Sequence, residues 1–124
     1  MVLGNYNEAV ESAAYAVKLS PLDPMRYGPE GVLAVSNYNL RRYGDAEDAA
    51  RRAIHSNPGF IHGYAVLAAS CVRLGRLEEG QETIRRARAV EPKFRAAVYR
   101  SAPIGPPEQM EEFISALREA GLPE

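Results

Sequence analysis

The chain predicts an all-α solenoid, a stack of helix–turn–helix units, on three observations. First, eighteen residues recur three times: 4–21 reads GNYNEAVESAAYAVKLSP, 41–58 reads RRYGDAEDAARRAIHSNP, and 75–92 reads GRLEEGQETIRRARAVEP. The second and third copies align without a gap at a spacing of 34, and the first two lie 37 apart, so three residues are inserted between them. Second, each copy has an apolar stripe of helical period and closes on a proline. Third, another stripe of the same period precedes each complete copy. A fixed period near 34 residues marks a stack in which a surface carries function, not a catalytic constellation.

The elements follow in order. Segment 4–21 reads as a second helix with only Met1–Leu3 before it, so its partner is missing. Residues 27–58 form a complete unit. Its first helix, 29–40, carries Pro29 in the first turn, where proline is favoured, while Gly28 and Gly31 weaken the start. Its second helix has Tyr43, Ala46, Ala50, Ala53 and Ile54 on one face and Glu47, Asp48, Arg51 and Arg52 on the other. Pro58 stops it by lacking a donor and restricting its predecessor.

Residues 61–92 form the next unit. Its first helix, within 60–74, shows Tyr64, Leu67, Ala68, Cys71 and Leu74 as the apolar stripe, and Gly75 ends it where a left-handed backbone is needed. Leu77, Gly80, Ile84 and Ala87 repeat the stripe on the second helix, before Pro92. Small residues recur at the helix crossings: Ala34 and Ala68 on the first helices, Ala9, Ala46 and Gly80, then Ala16, Ala53 and Ala87, on the second.

The C-terminal part predicts a short helix at 93–102, with Phe94, Ala97 and Val98 facing the stack. A break at Pro103, Gly105, Pro106 and Pro107 follows. An amphipathic helix at 107–121 then carries Met110, Phe113, Ile114 and Leu117 on one face, with Glu108, Glu111 and Glu112 in its first turns and Gly121 as its C-cap. It suits a cover for the terminal repeat.

These residues resemble the tetratricopeptide repeat. Tyr64, Leu67-Ala68, Gly75-x-Leu77, Gly80, Ile84, Ala87 and Pro92 follow the family pattern in one unit, and Leu33-Ala34, Tyr43, Ala46, Ala50, Ala53 and Pro58 follow it in the other. Glu30 stands where the family has a large aromatic, Arg41 replaces the turn glycine, and Ala50 replaces a bulky residue. The resemblance implies a right-handed α–α superhelix of about two and a half repeats with a C-terminal capping helix. It further implies a concave groove for a protein or peptide, lined by first helices: Val35, Tyr38 and Asn39 in one unit, then His62, Ala65, Ala69, Val72 and Arg73 in the next. Tyr38 and Arg73 are the expected anchors, because aromatic residues and arginine dominate binding hot spots. The lysine and asparagine set with which some relatives clamp a C-terminal carboxylate has no counterpart here.

The segments SPLDPMRYG, VLAASCVRLGRLEEG and FISALREAGLPE resemble one subgroup, the C-terminal repeats of bacterial signalling proteins whose N-terminal parts are often class III adenylate cyclase or winged-helix domains. The resemblance implies a scaffolding or regulatory tail, or a regulatory fragment of such a cyclase. It extends to the ending, which implies that Glu124 is the natural C-terminus. Neither N-terminal domain is present in 1–124. The orphaned first helix leaves two readings: a piece of a longer protein, which is favoured, or cover by a second copy in a homodimer.

Composition limits the rest. The chain of 124 residues suits one domain; apolar residues make up 46%, charged residues 25%, and the net charge is −1. That balance gives no basis for nucleic-acid binding. No apolar run approaches the roughly 20 residues that span a bilayer, and no signal-peptide pattern opens the chain, so a cytoplasmic location is expected. Cys71, the single cysteine, excludes an internal disulfide and sits on an apolar stripe as a buried thiol.

His55, His62 and Cys71 lack the spacing of a zinc site, so no metal or other cofactor is expected. No phosphate loop, nucleophile elbow or dinucleotide fingerprint occurs, and nothing points to intrinsic catalysis. Residues 73–100 carry Arg73, Arg76, Arg85, Arg86, Arg88, Lys93, Arg95 and Arg100 against four glutamates, while 108–124 has five glutamates and one arginine. This cluster reads either as a solvated face neutralised by nearby acids or as a patch for an acidic peptide or neighbouring domain.

Overall fold

The computed structural model describes residues 27–101 and 107–124. Among them six helices follow one another: α1 Tyr27–Asn39, α2 Tyr43–Ser56, α3 Ile61–Arg73, α4 Leu77–Val90, α5 Val98–Ser101 and α6 Pro107–Glu119. The expected helix at 4–21, and the homodimer reasoned from it, lie outside the described residues. Helices α1 and α2 pack as one antiparallel pair and α3 and α4 as the next, with α3 seated mainly on α2 and more lightly on α1.

The small residues sit where the helices cross. Ala34, Ala46, Ala53, Ala68 and Ala87 are all buried, so the backbones close to a distance that larger side chains would prevent. Gly31 has a similar reason to lie inside α1, although glycine weakens a helix. A Cβ there would come within 2.8 Å of the Phe60 ring.

Three helices end in the same way. After α3, Gly75 takes a left-handed φ of 80°, its N–H donates to the Val72 carbonyl, and the Arg76 N–H donates to the Cys71 carbonyl. Gly121 repeats this at the end of α6. Arg41 repeats it after α1 at φ 64°, with Arg41 N–H to Tyr38 and Arg42 N–H to Asn37. A non-glycine residue thus holds the conformation for which the family pattern has glycine, at the expense of Cβ crowding.

Several faces differ from the sequence expectation. Leu74 and Leu77 flank the α3–α4 turn and stay exposed, although both continue an apolar stripe. Glu47 is buried despite lying on the polar face of α2, because Arg51 and Arg76 enclose its carboxylate. Glu30, in the position of an aromatic, is fully buried and accepts a 2.9 Å bond from Arg52 Nε.

Of the helix expected at 93–102, the described residues are helical over Val98–Ser101 only, and the buried ones are Phe94, Ala96 and Tyr99, whereas Val98 faces solvent. The cause is long-range. The Ala96 and Ala97 N–H groups donate to the Pro123 and Glu124 carbonyls at 2.9 Å, so the end of the chain pairs with this segment.

Helix α6 occupies a distinctive place. Continuing the solenoid would put the next helix mainly against α4, as α3 lies mainly against α2. Instead α6 packs on α3, makes only a slight approach to α4, and reaches α1 through Phe113. It lies across the inner wall formed by the first helices of both units.

Candidate functional site

The wall residues come together, and the C-terminal segment covers them. From α1, Tyr38 and Asn39 are buried and Val35 packs against the core. From α3, Ala65 and Ala69 are fully buried, Val72 packs against the core, and His62 and Arg73 are half-buried. The groove expected to hold a partner peptide is therefore filled by the chain itself. Its occupant is α6 together with the segment around Tyr99.

Aromatic rings make the centre of this contact. Phe113 meets Tyr38 edge-on at 5.2 Å between centroids and Tyr99 at 5.1 Å. Tyr99 in turn packs edge-on against Phe94, and Tyr38 against Tyr43. Such edge-to-face pairs add about 0.5–1.5 kcal/mol each beyond the burial of their area.

Polar contacts frame the rings. The Tyr99 hydroxyl lies 2.8 Å from His62 Nδ1. Burial raises the Tyr99 pKa and lowers that of His62, so a neutral phenol and a neutral imidazole share this hydrogen bond. Arg73 Nη2 donates to the Glu112 carbonyl at 2.7 Å, and its guanidinium forms ion pairs with the carboxylates of Glu112 and Glu119. The Tyr43 hydroxyl donates to Glu112 at 3.4 Å, and Gln109 Nε2 donates to the Asn39 carbonyl at 3.2 Å.

The polar matching is incomplete. The Tyr38 hydroxyl, Asn39 Nδ2 and Arg73 Nε are buried without a hydrogen bond, the last held at ion-pair distance from Glu112. Burial pushes the Tyr38 phenol up to about 12, and the neighbouring Arg73, first by its approach as a donor and then by its charge, partly offsets this. A buried donor left without an acceptor costs about 1–3 kcal/mol. The wall therefore holds α6 by its apolar face, by Arg73 and by the Asn39 carbonyl, while the Tyr38 hydroxyl and Asn39 Nδ2 stay unpaired.

His55 and His62 join no group of three metal-ligating side chains among the described residues. The one such group is Glu47, Cys71 and Glu79, whose ligand atoms lie within 4.8 Å of one another. Arg76 and Arg51 already occupy the Glu47 carboxylate and keep its pKa low, and Arg76 also reaches Glu79 at 3.2 Å. Cys71 is buried, and burial raises its pKa, so it is a poor nucleophile or ligand.

Sequence reasoning missed Tyr99 and the placement of α6. One signal was available for the latter: the basic excess of 73–100 and the acidic excess of 108–124. The structure joins them through Arg73 with Glu112 and Glu119, and through Arg100 with Glu111 and Glu124.

The comparisons with known proteins bear on the fold. The chain matches no protein-family model and no curated protein sequence. Its structure is similar to the crystal structure of MamA, a tetratricopeptide-repeat protein, at a TM-score of 0.64 and 21% sequence identity. The similarity covers 93% of this chain and 66% of the MamA chain, so this chain spans slightly less than two thirds of that one. The fold is thus the all-α right-handed superhelix of the tetratricopeptide solenoids. No helix among the described residues is long and apolar enough to cross a membrane.

Proposed function

We propose that this chain is a non-catalytic protein-interaction module, the scaffolding or regulatory C-terminal part of a cytoplasmic bacterial signalling protein. The observation that carries the reading is the wall made by α1 and α3, which holds an amphipathic helix. Because that helix is the chain's own α6, the module is self-occupied. A partner supplies a helix with a Met-x-x-Phe-Ile-x-x-Leu face and acidic edges, and takes the place of α6. Helix-in-groove recognition of this kind reads anchors at i, i+3, i+4 and i+7, the spacing of Met110, Phe113, Ile114 and Leu117. Tyr38 and Arg73 remain the proposed anchors, since Phe113 and Glu112 meet them in the self-occupied state. The signalling context is supported by the resemblance of the SPLDPMRYG and FISALREAGLPE segments to tails of that kind.

Competition in the full chain tests this. A labelled synthetic peptide of residues 107–124 is titrated into the wild-type chain and into Phe113→Ala/Leu117→Ala, whose own α6 is weakened. The tethered helix acts at an effective concentration on the order of millimolar. The variant is expected to bind the peptide at least about a hundredfold more tightly than wild type. Equal affinity for both chains, or loss of peptide binding in neither Tyr38→Ala nor Arg73→Ala versions of the variant, contradicts a displaceable occupant.

A further inference from the structure

The eight basic side chains of 73–100 divide into two groups once their neighbours are known. Arg73, Arg76, Arg85 and Arg100 each lie within 4.0 Å of a carboxylate. Arg86, Arg88, Lys93 and Arg95 have no carboxylate at that distance among the described residues, and Arg88 donates only to the Pro92 carbonyl. The neutralised face therefore accounts for half of the cluster.

Of the unneutralised four, Arg86 is held in a defined place. Its guanidinium carbon stands 5.6 Å from the centroid of the Tyr64 ring. That ring is fixed in turn, because the Tyr64 hydroxyl donates to the Pro58 carbonyl at 2.8 Å. Arg86 and Tyr64 line a cleft of about 340 Å³ with Ile54, Leu67, Arg51 and His55. Ile54, Tyr64 and Leu67 are buried and make an apolar floor. A second hollow, lined by Arg51, Arg52, His55 and Ser56, shares Arg51 and His55 with the first, so the two form one trough along α2. Helix α6 contributes no residue to either.

We propose that this trough binds an extended acidic peptide segment. An aliphatic side chain of the ligand enters against Ile54, Tyr64 and Leu67, and a flanking carboxylate meets Arg86. The charge inventory favours a peptide over a phosphate backbone. Arg51 donates to Glu47 through Nη2 at 2.8 Å and Nε at 3.3 Å and lies 3.6 Å from Glu79, and Arg52 is engaged by the buried Glu30. Among the described residues the trough thus offers one guanidinium without a carboxylate, that of Arg86, beside two already paired with acids, enough for a ligand carboxylate at Arg86. A nucleic-acid backbone needs a run of uncompensated cations. A guanidinium stacked on an aromatic ring keeps its edge donors free for a carboxylate.

The probes are two labelled peptides, Glu-Leu-Glu-Glu-Leu-Glu and its counterpart with every glutamate replaced by glutamine, titrated into the full chain by fluorescence anisotropy at low salt. The acidic peptide is expected to bind saturably below about 1 mM, at least about tenfold tighter than the glutamine peptide. Arg86→Gln should weaken it about fivefold, and Arg86→Glu by a further tenfold or so, while Arg100→Gln leaves it unchanged. Weakening α6 with Phe113→Ala should also leave it unchanged, which separates this site from the inner wall. Arg86 is exposed, so its variants should keep the wild-type melting curve. The proposal fails if the glutamine peptide binds equally, if no saturation is reached, or if affinity is indifferent to both Arg86 substitutions. It also fails if Arg100→Gln weakens binding as much as Arg86→Gln, or if a single-stranded oligonucleotide binds more tightly through Arg86.

Discussion

Replacing Phe113 by alanine removes the centre of the contact between α6 and the inner wall. The ring is 1% exposed and touches Tyr38 and Tyr99 edge-on, one from α1 and one from α5. Burial of a phenylalanine side chain is worth about 1.5–3 kcal/mol, and the unfilled space raises the total for Phe→Ala to about 3–5 kcal/mol. Two ring partners from separate elements limit collapse into that space, so a loss of about 4 kcal/mol is expected for the docked helix. Urea denaturation followed by circular dichroism measures it. On the proposal that α6 is displaceable, a reduced slope against denaturant should accompany the lower midpoint. The exposed Val98→Ala is the control and should stay within about 0.5 kcal/mol of wild type. A loss below about 1 kcal/mol for Phe113→Ala would show that α6 is not held by this ring and would refute the packing described above.

Three further outcomes can be checked in the same way. Arg41→Gly relieves a left-handed residue of its Cβ and should raise stability by about 1 kcal/mol; a lower midpoint would contradict the φ of 64°. Ala53→Leu overpacks a fully buried helix crossing and should lower stability by roughly 1–3 kcal/mol, and an unchanged midpoint would remove Ala53 from that crossing. Burial holds the His62 pKa below its ordinary 6.5, so on acidification the unfolded chain takes up that proton first and stability falls as pH drops below about 6.5. The low-lying carboxylate of Glu47 acts in the same direction only below its ordinary value of 4.5. The pH 5 to 6.5 slope should therefore vanish in His62→Gln, and its persistence would assign it to another group.

Much of the architecture was legible because its causes are local. The recurrence at 34 residues, the small residues at each crossing and the closing prolines act over one or two helical turns, and the structure places Ala34, Ala53, Ala68 and Ala87 in the core accordingly. The left-handed turn was legible at Gly75 and only half so at Arg41, where an arginine adopts the same backbone. What escaped depends on distant partners. The first part of the helix expected at 93–102 is not helical, because Ala96 and Ala97 pair with Pro123 and Glu124. Leu74 and Leu77 follow the apolar period, yet they sit at a turn that nothing covers.

The groove shows the same division. Its eight expected residues lie on α1 and α3, but the family resemblance that pointed to them carries no information on what lies over them. Only the opposite charges of 73–100 and 108–124 hinted that the tail folds back, and charge by itself specifies no geometry. Glu30 and Glu47 escaped for a related reason. A glutamate on a helix reads as exposed until Arg52, or Arg51 and Arg76, is known to stand beside it.

The central claim is that the inner wall is filled by the chain's own C-terminal helix. Proton NMR of the full chain in solution tests it most directly, through cross-relaxation between the ring protons of Phe113 and those of Tyr38 and Tyr99. With centroids 5.2 and 5.1 Å apart, both pairs should give strong cross-peaks, and the Phe113 ring should be shifted well away from its random-coil position. Absence of both cross-peaks, with Phe113 at random-coil shifts, would mean that the wall stands open.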